Sequence, residues 1–173
     1  MVELFLGGAR SGKSRLAEAR AAELGSSVTY VATATPGDAE MAERIEHHRR
    51  RRPGHWGLVE EPVALGAVLD APVPPTTARL VDCLTLWLVN ALAAGEKTFQ
   101  AERAALLNAL ERAAAPVVLV SNEVGAGVVP LGAETRRYVD EAGRLNQDVA
   151  ARAARVTLVS AGLPLLLKET EHA

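Results

Sequence analysis

Val2-Glu3-Leu4-Phe5-Leu6-Gly7-Gly8-Ala9-Arg10-Ser11-Gly12-Lys13-Ser14 opens the chain, and its last eight residues fit the pattern G-x-x-x-x-G-K-[ST]. The run before them is apolar except for Glu3 and predicts a buried strand, and the residues after Ser14 predict a helix. A strand, a glycine turn and a helix start direct backbone N–H groups at one point, which suits a polyphosphate. We therefore expect Lys13 to reach the outer phosphates and Ser14 to hold Mg²⁺. The alternative is a glycine turn that precedes a helix by chance.

Length and composition indicate an ordinary globular protein. The 173 residues predict a single domain over 1–173, with 49% apolar and 23% charged residues. The net charge of −2 gives no overall attraction to nucleic acid or to an anionic membrane. The longest apolar stretch, 84–94, is too short to span a bilayer. The single cysteine, Cys83, excludes an internal disulfide and suits a reducing compartment, and no signal peptide is expected before the first strand, so we expect a cytoplasmic protein.

Predicted strands alternate with predicted helices along the chain. We therefore predict an α/β fold of the P-loop NTPase-like (RecA-like) type, with a mostly parallel sheet and helices on both faces. The expected strands are 2–6, 28–32, 56–59, 78–83, 116–120, 156–160 and 163–167, and the expected helices are 14–20, 39–50, 62–69, 84–94, 99–115 and 133–154.

Asp82 is the second candidate residue of a nucleotide site. It ends an apolar strand, so its carboxylate should emerge at the carboxyl edge of the sheet, where ligands bind in such folds. The phosphate loop should emerge at the same edge, and an acid placed there can hold Mg²⁺ directly or through water. The alternative is that Asp82 caps the next helix.

His47 and His48 precede a run of four arginines, Arg49 to Arg52. Adjacent residues point about 100° apart on a helix, so the two histidines cannot easily share one task. A neutral imidazole can attack phosphorus, and neighbouring guanidinium groups would keep the ring neutral and neutralise phosphoryl oxygens. The alternatives are histidines that fill a surface or a core, and arginines on a solvated helix end.

Two further acidic segments are ambiguous. Glu123 follows an apolar strand and could serve as an acid behind the metal, as a base for a substrate hydroxyl, or as a loop cap. Glu60 and Glu61 precede a predicted helix, where a pair of exposed acids would be unremarkable.

The combined motifs resemble the bifunctional adenosylcobinamide kinase / adenosylcobinamide-phosphate guanylyltransferases of cobalamin biosynthesis. The phosphate loop alone is shared by many unrelated enzymes, but its combination with the histidine block and the Asn-Glu-Val-Gly block is specific. The matching blocks cover nearly the whole chain in order, and the segment 65–77 carries no family signature. The blocks are 7–15, 30–34, 40–41, 44–48, 52–53, Trp56, 60–62, 81–85, 121–125, 127–130, 143–147 and 161–164.

The resemblance implies two reactions. In the first, a hydroxyl of adenosylcobinamide takes the terminal phosphoryl group of ATP or GTP. In the second, adenosylcobinamide phosphate takes GMP from GTP through a guanylylated histidine, and pyrophosphate is released. The family pattern places this histidine at His48 and leaves His47 as a bystander.

The resemblance also implies the remaining site residues and an oligomeric state. Arg15, Arg51 and Arg52 are expected to contact the nucleotide together with the phosphate loop and Asp82. Thr33, Glu60 and Glu61 are candidates for contacts to guanine or ribose. Some family members form trimers, which makes a homotrimer the expectation. Two rival functions stay open: a P-loop kinase of another small hydroxyl compound, in which His48 has no role, and a non-catalytic GTP-binding regulator.

Overall fold

A computed structural model describes residues 1–35, 37 and 53–170 of the chain. In that part, seven strands form one sheet in the order β3-β2-β4-β5-β1-β6-β7. The elements are β1 Val2–Gly7, α1 Lys13–Leu24, β2 Ser27–Ala32, β3 Gly57–Glu60, α2 Leu65–Asp70, β4 Thr77–Asp82, α3 Leu84–Ala93, α4 Glu96–Arg112, β5 Val117–Asn122, α5 Ala133–Arg152, β6 Arg155–Ser160 and β7 Leu163–Glu169.

The sheet is parallel except at one edge. Strands β3, β2, β4, β5, β1 and β6 pair in parallel, and β7 runs antiparallel to β6. Because β1 lies between β5 and β6, all six of its residues are buried, as its nearly continuous apolar sequence indicates. The phosphate-loop strand β1 and the Asp82 strand β4 are not neighbours, since β5 lies between them.

Helices pack on both faces of the sheet. On one face, β1 contributes Val2, Leu4 and Leu6 to a core shared with helices α2 to α5. On the other face, Phe5 packs in a core with Ala17 and Ala21 of helix α1. The predicted mostly parallel sheet with helices on both faces is therefore confirmed.

Glu3, the polar residue in the first strand, is 1% exposed and accepts hydrogen bonds from Arg20 on helix α1, at 2.9 Å from Nε and 2.7 Å from Nη2. This bidentate pair fastens α1 to β1 at the end of the sheet away from the phosphate loop.

The helices begin or end at residues other than those predicted, and α4 and α2 show why. Helix α4 begins at Glu96 and ends at Arg112, before the predicted end at 115. Pro116 disfavours helical backbone in the residue before it, and Ala113 is already non-helical. Helix α2 begins at Leu65 because the Glu61 side chain accepts hydrogen bonds from the preceding Val63 and Ala64 amides.

The helix predicted over 39–50 lies outside the described residues. Among the helices in residues 1–35, 37 and 53–170, none has the length and apolar character that a membrane crossing requires.

Candidate nucleotide site

The phosphate loop connects β1 directly to helix α1. It closes with a hydrogen bond of 3.3 Å from the Ser11 amide to the Gly8 carbonyl. Arg10 and Gly12 have positive φ angles of 56° and 93°, and the left-handed conformation at Gly12 favours a residue without a side chain. Gly8, Ala9 and Arg10 are exposed, so a ligand can approach the backbone of the loop from outside.

Lys13 is a buried cation at the start of helix α1. Its side chain is 8% exposed, and Nζ donates to the Gly8 carbonyl at 3.1 Å. Burial lowers the pKa of Lys13, and the carboxylate of Asp82 acts in the opposite direction. A buried ammonium that donates to a carbonyl would gain from an anion bound at the loop. The interaction with Asp82 also shows that Lys13 and Asp82 lie near each other at this edge.

Ser14 and Arg15 follow Lys13 in the first turn of α1. Ser14 is half-buried and Arg15 is exposed. The N-terminus of this helix therefore presents a hydroxyl and a guanidinium beside the loop, where the helix dipole also favours anions.

Asp82 is the last residue of β4 and lies at the carboxyl edge, as predicted. The hydroxyl of Tyr30 on the adjacent strand β2 donates to Asp82 Oδ2 at 3.2 Å. Burial, followed by the charge of Asp82, raises the pKa of Tyr30, so the phenol stays protonated and remains a donor. Helix α3 has Cys83 at its N-cap and no side-chain cap hydrogen bond, so the alternative in which Asp82 caps that helix does not hold.

Thr33 is fully buried directly after β2. Its hydroxyl donates to the Cys83 carbonyl at 2.7 Å and accepts from the Cys83 amide at 2.9 Å. Asn90 of helix α3 donates to the Thr33 carbonyl at 2.8 Å and to the Pro62 carbonyl at 3.2 Å. These bonds fasten the chain just after Asp82 to the loops that follow β2 and β3. The predicted contact of Thr33 with the nucleotide stays a prediction.

The end of β5 is joined to the phosphate loop. The Glu123 amide donates to the Gly7 carbonyl at 3.1 Å, and Asn122 Nδ2 donates to Thr85 Oγ1 at 2.8 Å. Behind them, Ser121 donates to Asn146 of helix α5 at 2.7 Å, and Asn146 donates to the Asn122 carbonyl at 3.3 Å. The Glu123 side chain is exposed and accepts from the Gly125 amide at 2.8 Å, so the carboxylate caps its own loop while facing solvent at the sheet edge.

Glu60 and Glu61, at the end of β3, have different surroundings. Glu60 ends β3 and is exposed. Glu61 Oε1 accepts from the amides of Val63 and Ala64, both at 2.8 Å, and so stabilises the turn that leads into α2. The predicted guanine or ribose contacts of Glu60 and Glu61 stay predictions.

The structure thus places Lys13, Ser14, Asp82 and Glu123 at the same carboxyl edge of the sheet. The nucleophile candidate His48, its neighbour His47 and the arginines at 49–52 lie outside the described residues.

Sequence reasoning assigned no role to three of the side chains that hold this edge together, Tyr30, Thr85 and Asn90. Asn90 and Thr85 interrupt an otherwise apolar helix, and isolated polar residues on buried elements commonly mark such hydrogen bonds. Tyr30 carried no comparable signal, because an aromatic residue in a strand usually indicates only core packing.

The fold and the site define a P-loop nucleotide-binding protein of the predicted α/β, RecA-like class. The flagellar accessory protein FlaH of Methanocaldococcus jannaschii has the same fold, with a TM-score of 0.54 at 12% identity over 98% of this chain and 78% of that one. Residues 3–167 match the family described as cobinamide kinase / cobinamide phosphate guanyltransferase, and the chain belongs to that family.

Two relatives are similar over nearly their full lengths. The chain is 56% identical to the bifunctional adenosylcobalamin biosynthesis protein CobP of Pseudomonas aeruginosa, over 97% of this chain and 98% of that protein. It is 42% identical to the bifunctional adenosylcobalamin biosynthesis protein CobU of Escherichia coli, over 97% of this chain and 100% of that protein. The resemblance inferred from the motifs is therefore confirmed.

Proposed function

We propose that this protein phosphorylates adenosylcobinamide with ATP or GTP and then transfers GMP from GTP to the resulting phosphate. Family membership supports the two activities. The observation that carries the proposal is the buried Lys13 ammonium, which lies beside an exposed loop backbone and within electrostatic range of Asp82.

In the kinase step, the hydroxyl oxygen of the aminopropanol arm attacks the γ-phosphorus, and the bond from that phosphorus to the β–γ bridging oxygen breaks. Lys13 and the loop amides hold the phosphates and stabilise the charge that develops on the departing oxygen. Glu123, exposed at the same edge, accepts the hydroxyl proton. The products are adenosylcobinamide phosphate and the nucleoside diphosphate.

In the guanylyl step, a ring nitrogen of His48 attacks the α-phosphorus of GTP and pyrophosphate leaves from the Lys13 end of the loop. A phosphate oxygen of adenosylcobinamide phosphate then attacks the guanylylated histidine and the P–N bond breaks. The products are adenosylcobinamide-GDP and free imidazole. Arg51 and Arg52 neutralise the phosphoryl oxygens during both transfers.

Asp82 and Ser14 are the residues that would hold Mg²⁺. Both offer oxygen donors, as this cation prefers, and the Tyr30 hydrogen bond orients the carboxylate. When bound, the ion supplies charge neutralisation on the phosphates.

Guanine carries N1–H and N2–H donors that adenine lacks, and Glu60 or Glu61 could accept from them, with Thr33 as a further contact. We also propose a homotrimer and, because the nucleotide substrates are cytoplasmic, a cytoplasmic location.

The histidine intermediate is tested with GTP labelled at the α-phosphate. The protein is incubated with Mg²⁺ and labelled GTP, denatured and assayed for a bound label that is stable in base and released by acid. The His48→Ala variant should lose the label and still phosphorylate adenosylcobinamide. The matched His47→Ala variant should keep most of the label.

The other outcomes separate the rival functions. Transfer of the γ-phosphoryl group without any labelled protein would support a simple kinase and remove the guanylyl step. Binding of GTP without either transfer would support a regulator. Loss of label in His47→Ala with retention in His48→Ala would move the nucleophile by one residue.

A further inference from the structure

The turn between β6 and β7 has an unusual backbone. Ala161 and Gly162 both have positive φ angles, of 51° and 81°, which is the combination that a two-residue type I′ hairpin requires. The antiparallel pairing of Ser160 with Leu163 closes the hairpin at this point. The position of the turn is therefore set by strand pairing on both sides.

This turn packs directly on the phosphate loop. The Gly162 amide donates to the Ser11 carbonyl at 2.9 Å. A Cβ on Gly12 would lie 3.4 Å from Gly162 Cα, and a Cβ on Gly7 would lie 2.4 Å from the Val159 carbonyl oxygen. Both glycines of the phosphate-loop pattern thus lie against β6 or the turn that follows it.

We infer that the β6–β7 turn is a positioning element of the nucleotide site, acting through the Gly162–Ser11 hydrogen bond. In a trans peptide the C=O and N–H point in opposite directions. When the Ser11 carbonyl is bound to Gly162, the Gly12 N–H is directed away from the hairpin. The turn therefore orients one of the amide donors that the loop offers to phosphate.

The inference rests on the nucleotide binding in the proposed function, and a single substitution isolates it. Alanine is strained at the φ of Gly162, so Gly162→Ala should shift the turn and displace its amide. We expect the Kd for a non-hydrolysable GTP analogue with Mg²⁺ to rise about tenfold, as expected when one oriented hydrogen bond is lost. Calorimetry measures that Kd, and thermal unfolding without nucleotide measures stability separately.

Gly95 offers a matched control. It also has a positive φ, of 101°, no atom lies within 4 Å of a Cβ placed there, and it lies between helices α3 and α4. Gly95→Ala should lower the unfolding temperature at least as much as Gly162→Ala and leave the Kd unchanged. Gly162→Asn should recover most of the affinity, because asparagine tolerates left-handed backbone better than other side chains do.

The Kd of the wild-type protein, measured first, distinguishes a failure of nucleotide binding from a failure of the role of the turn. A wild-type protein that does not bind the analogue would overturn nucleotide binding, and the inference with it. If the wild type binds, then an unchanged Kd in Gly162→Ala, or an equal loss in Gly95→Ala, would overturn the role of the turn alone.

Discussion

Strand β1 and helix α1 bury two charged side chains, Glu3 and Lys13, and these two have different hydrogen-bond partners. Glu3 is 1% exposed and is bound by two nitrogens of Arg20, whose pKa is raised chiefly by that hydrogen bond. Lys13 is 8% exposed and donates to a carbonyl, and burial lowers its pKa. Lys13 and Arg20 lie two turns apart on one helix, about 10 Å along its axis.

We propose that this difference separates a structural charge, Glu3, from a functional one, Lys13. A carboxylate held by a bidentate guanidinium has little left to offer a ligand. A desolvated ammonium beside exposed loop amides is favourable only when an anion arrives. We therefore propose that the same strand–helix unit is closed at the Glu3 end and binds phosphate at the Lys13 end.

Lys13→Met tests the functional end and should have the largest effect. Without the cation, phosphates and leaving groups lose a preorganised charge. Phosphorylation of adenosylcobinamide and histidine labelling should both fall by about 10²- to 10³-fold. The measurements are kcat for phosphorylation and the rate of label incorporation from GTP.

The stability of the same variant provides the control. Removing a buried cation whose pKa is lowered by burial should leave the unfolding temperature without nucleotide unchanged or higher. A Lys13→Met protein that is fully active, or one that is unfolded, would break the contrast between the two charges.

Arg20→Met tests the structural end. It leaves the Glu3 carboxylate buried without its partner, so the free energy of unfolding in urea should fall by about 3 kcal/mol. The kcat of the folded protein should not change, because Arg20 lies two turns from the phosphate loop. Glu3→Met combined with Arg20→Met should recover much of the loss, since no buried charge is then left alone.

Glu23→Gln is the matched control for this pair. Glu23 also accepts from Arg20, at 3.0 Å, but its side chain is 66% exposed. Its replacement should change the free energy of unfolding by less than about 0.5 kcal/mol. Loss of activity in Arg20→Met without loss of stability would mean that the Glu3 end is not merely structural.

Local patterns were enough to predict the strand, the loop and the helix start at the Lys13 end. The glycine pattern, the apolar strand before it and the helix after it are contiguous, so the phosphate loop and Lys13 could be read directly. The structural end could not be read in the same way. Glu3 was visible as a break in an apolar run, but its partner is 17 residues away and depends on how α1 packs on β1.

The other features that the sequence did not predict depend on contacts between segments that are distant along the chain. That β5 lies between β1 and β4 depends on strand pairing that no local pattern records. The family resemblance identified Thr33 and Glu61 as candidates, but it did not indicate that both would bond to nearby backbone. The contact of the Gly162 amide with the phosphate loop likewise joins segments 151 residues apart in the chain (162 − 11).

Asp82 shares features with both the structural charge Glu3 and the proposed functional charge Lys13. The Tyr30→Phe variant tests how Asp82 is used. Its carboxylate accepts a hydrogen bond from Tyr30, yet it also interacts with Lys13 across the proposed metal site. Loss of the phenol hydroxyl should leave the carboxylate less well oriented and raise the Mg²⁺ concentration for half-maximal activity by up to about tenfold. At saturating Mg²⁺, kcat should be close to that of the wild type, because Tyr30 touches no reacting atom.

Tyr138→Phe supplies the comparison for this last effect. Tyr138, on helix α5, is half-buried, and burial raises its pKa, as it does that of Tyr30. It should show no change in Mg²⁺ dependence. If Tyr30→Phe leaves that dependence unaltered while kcat falls, the Tyr30 hydroxyl does not orient a metal ligand.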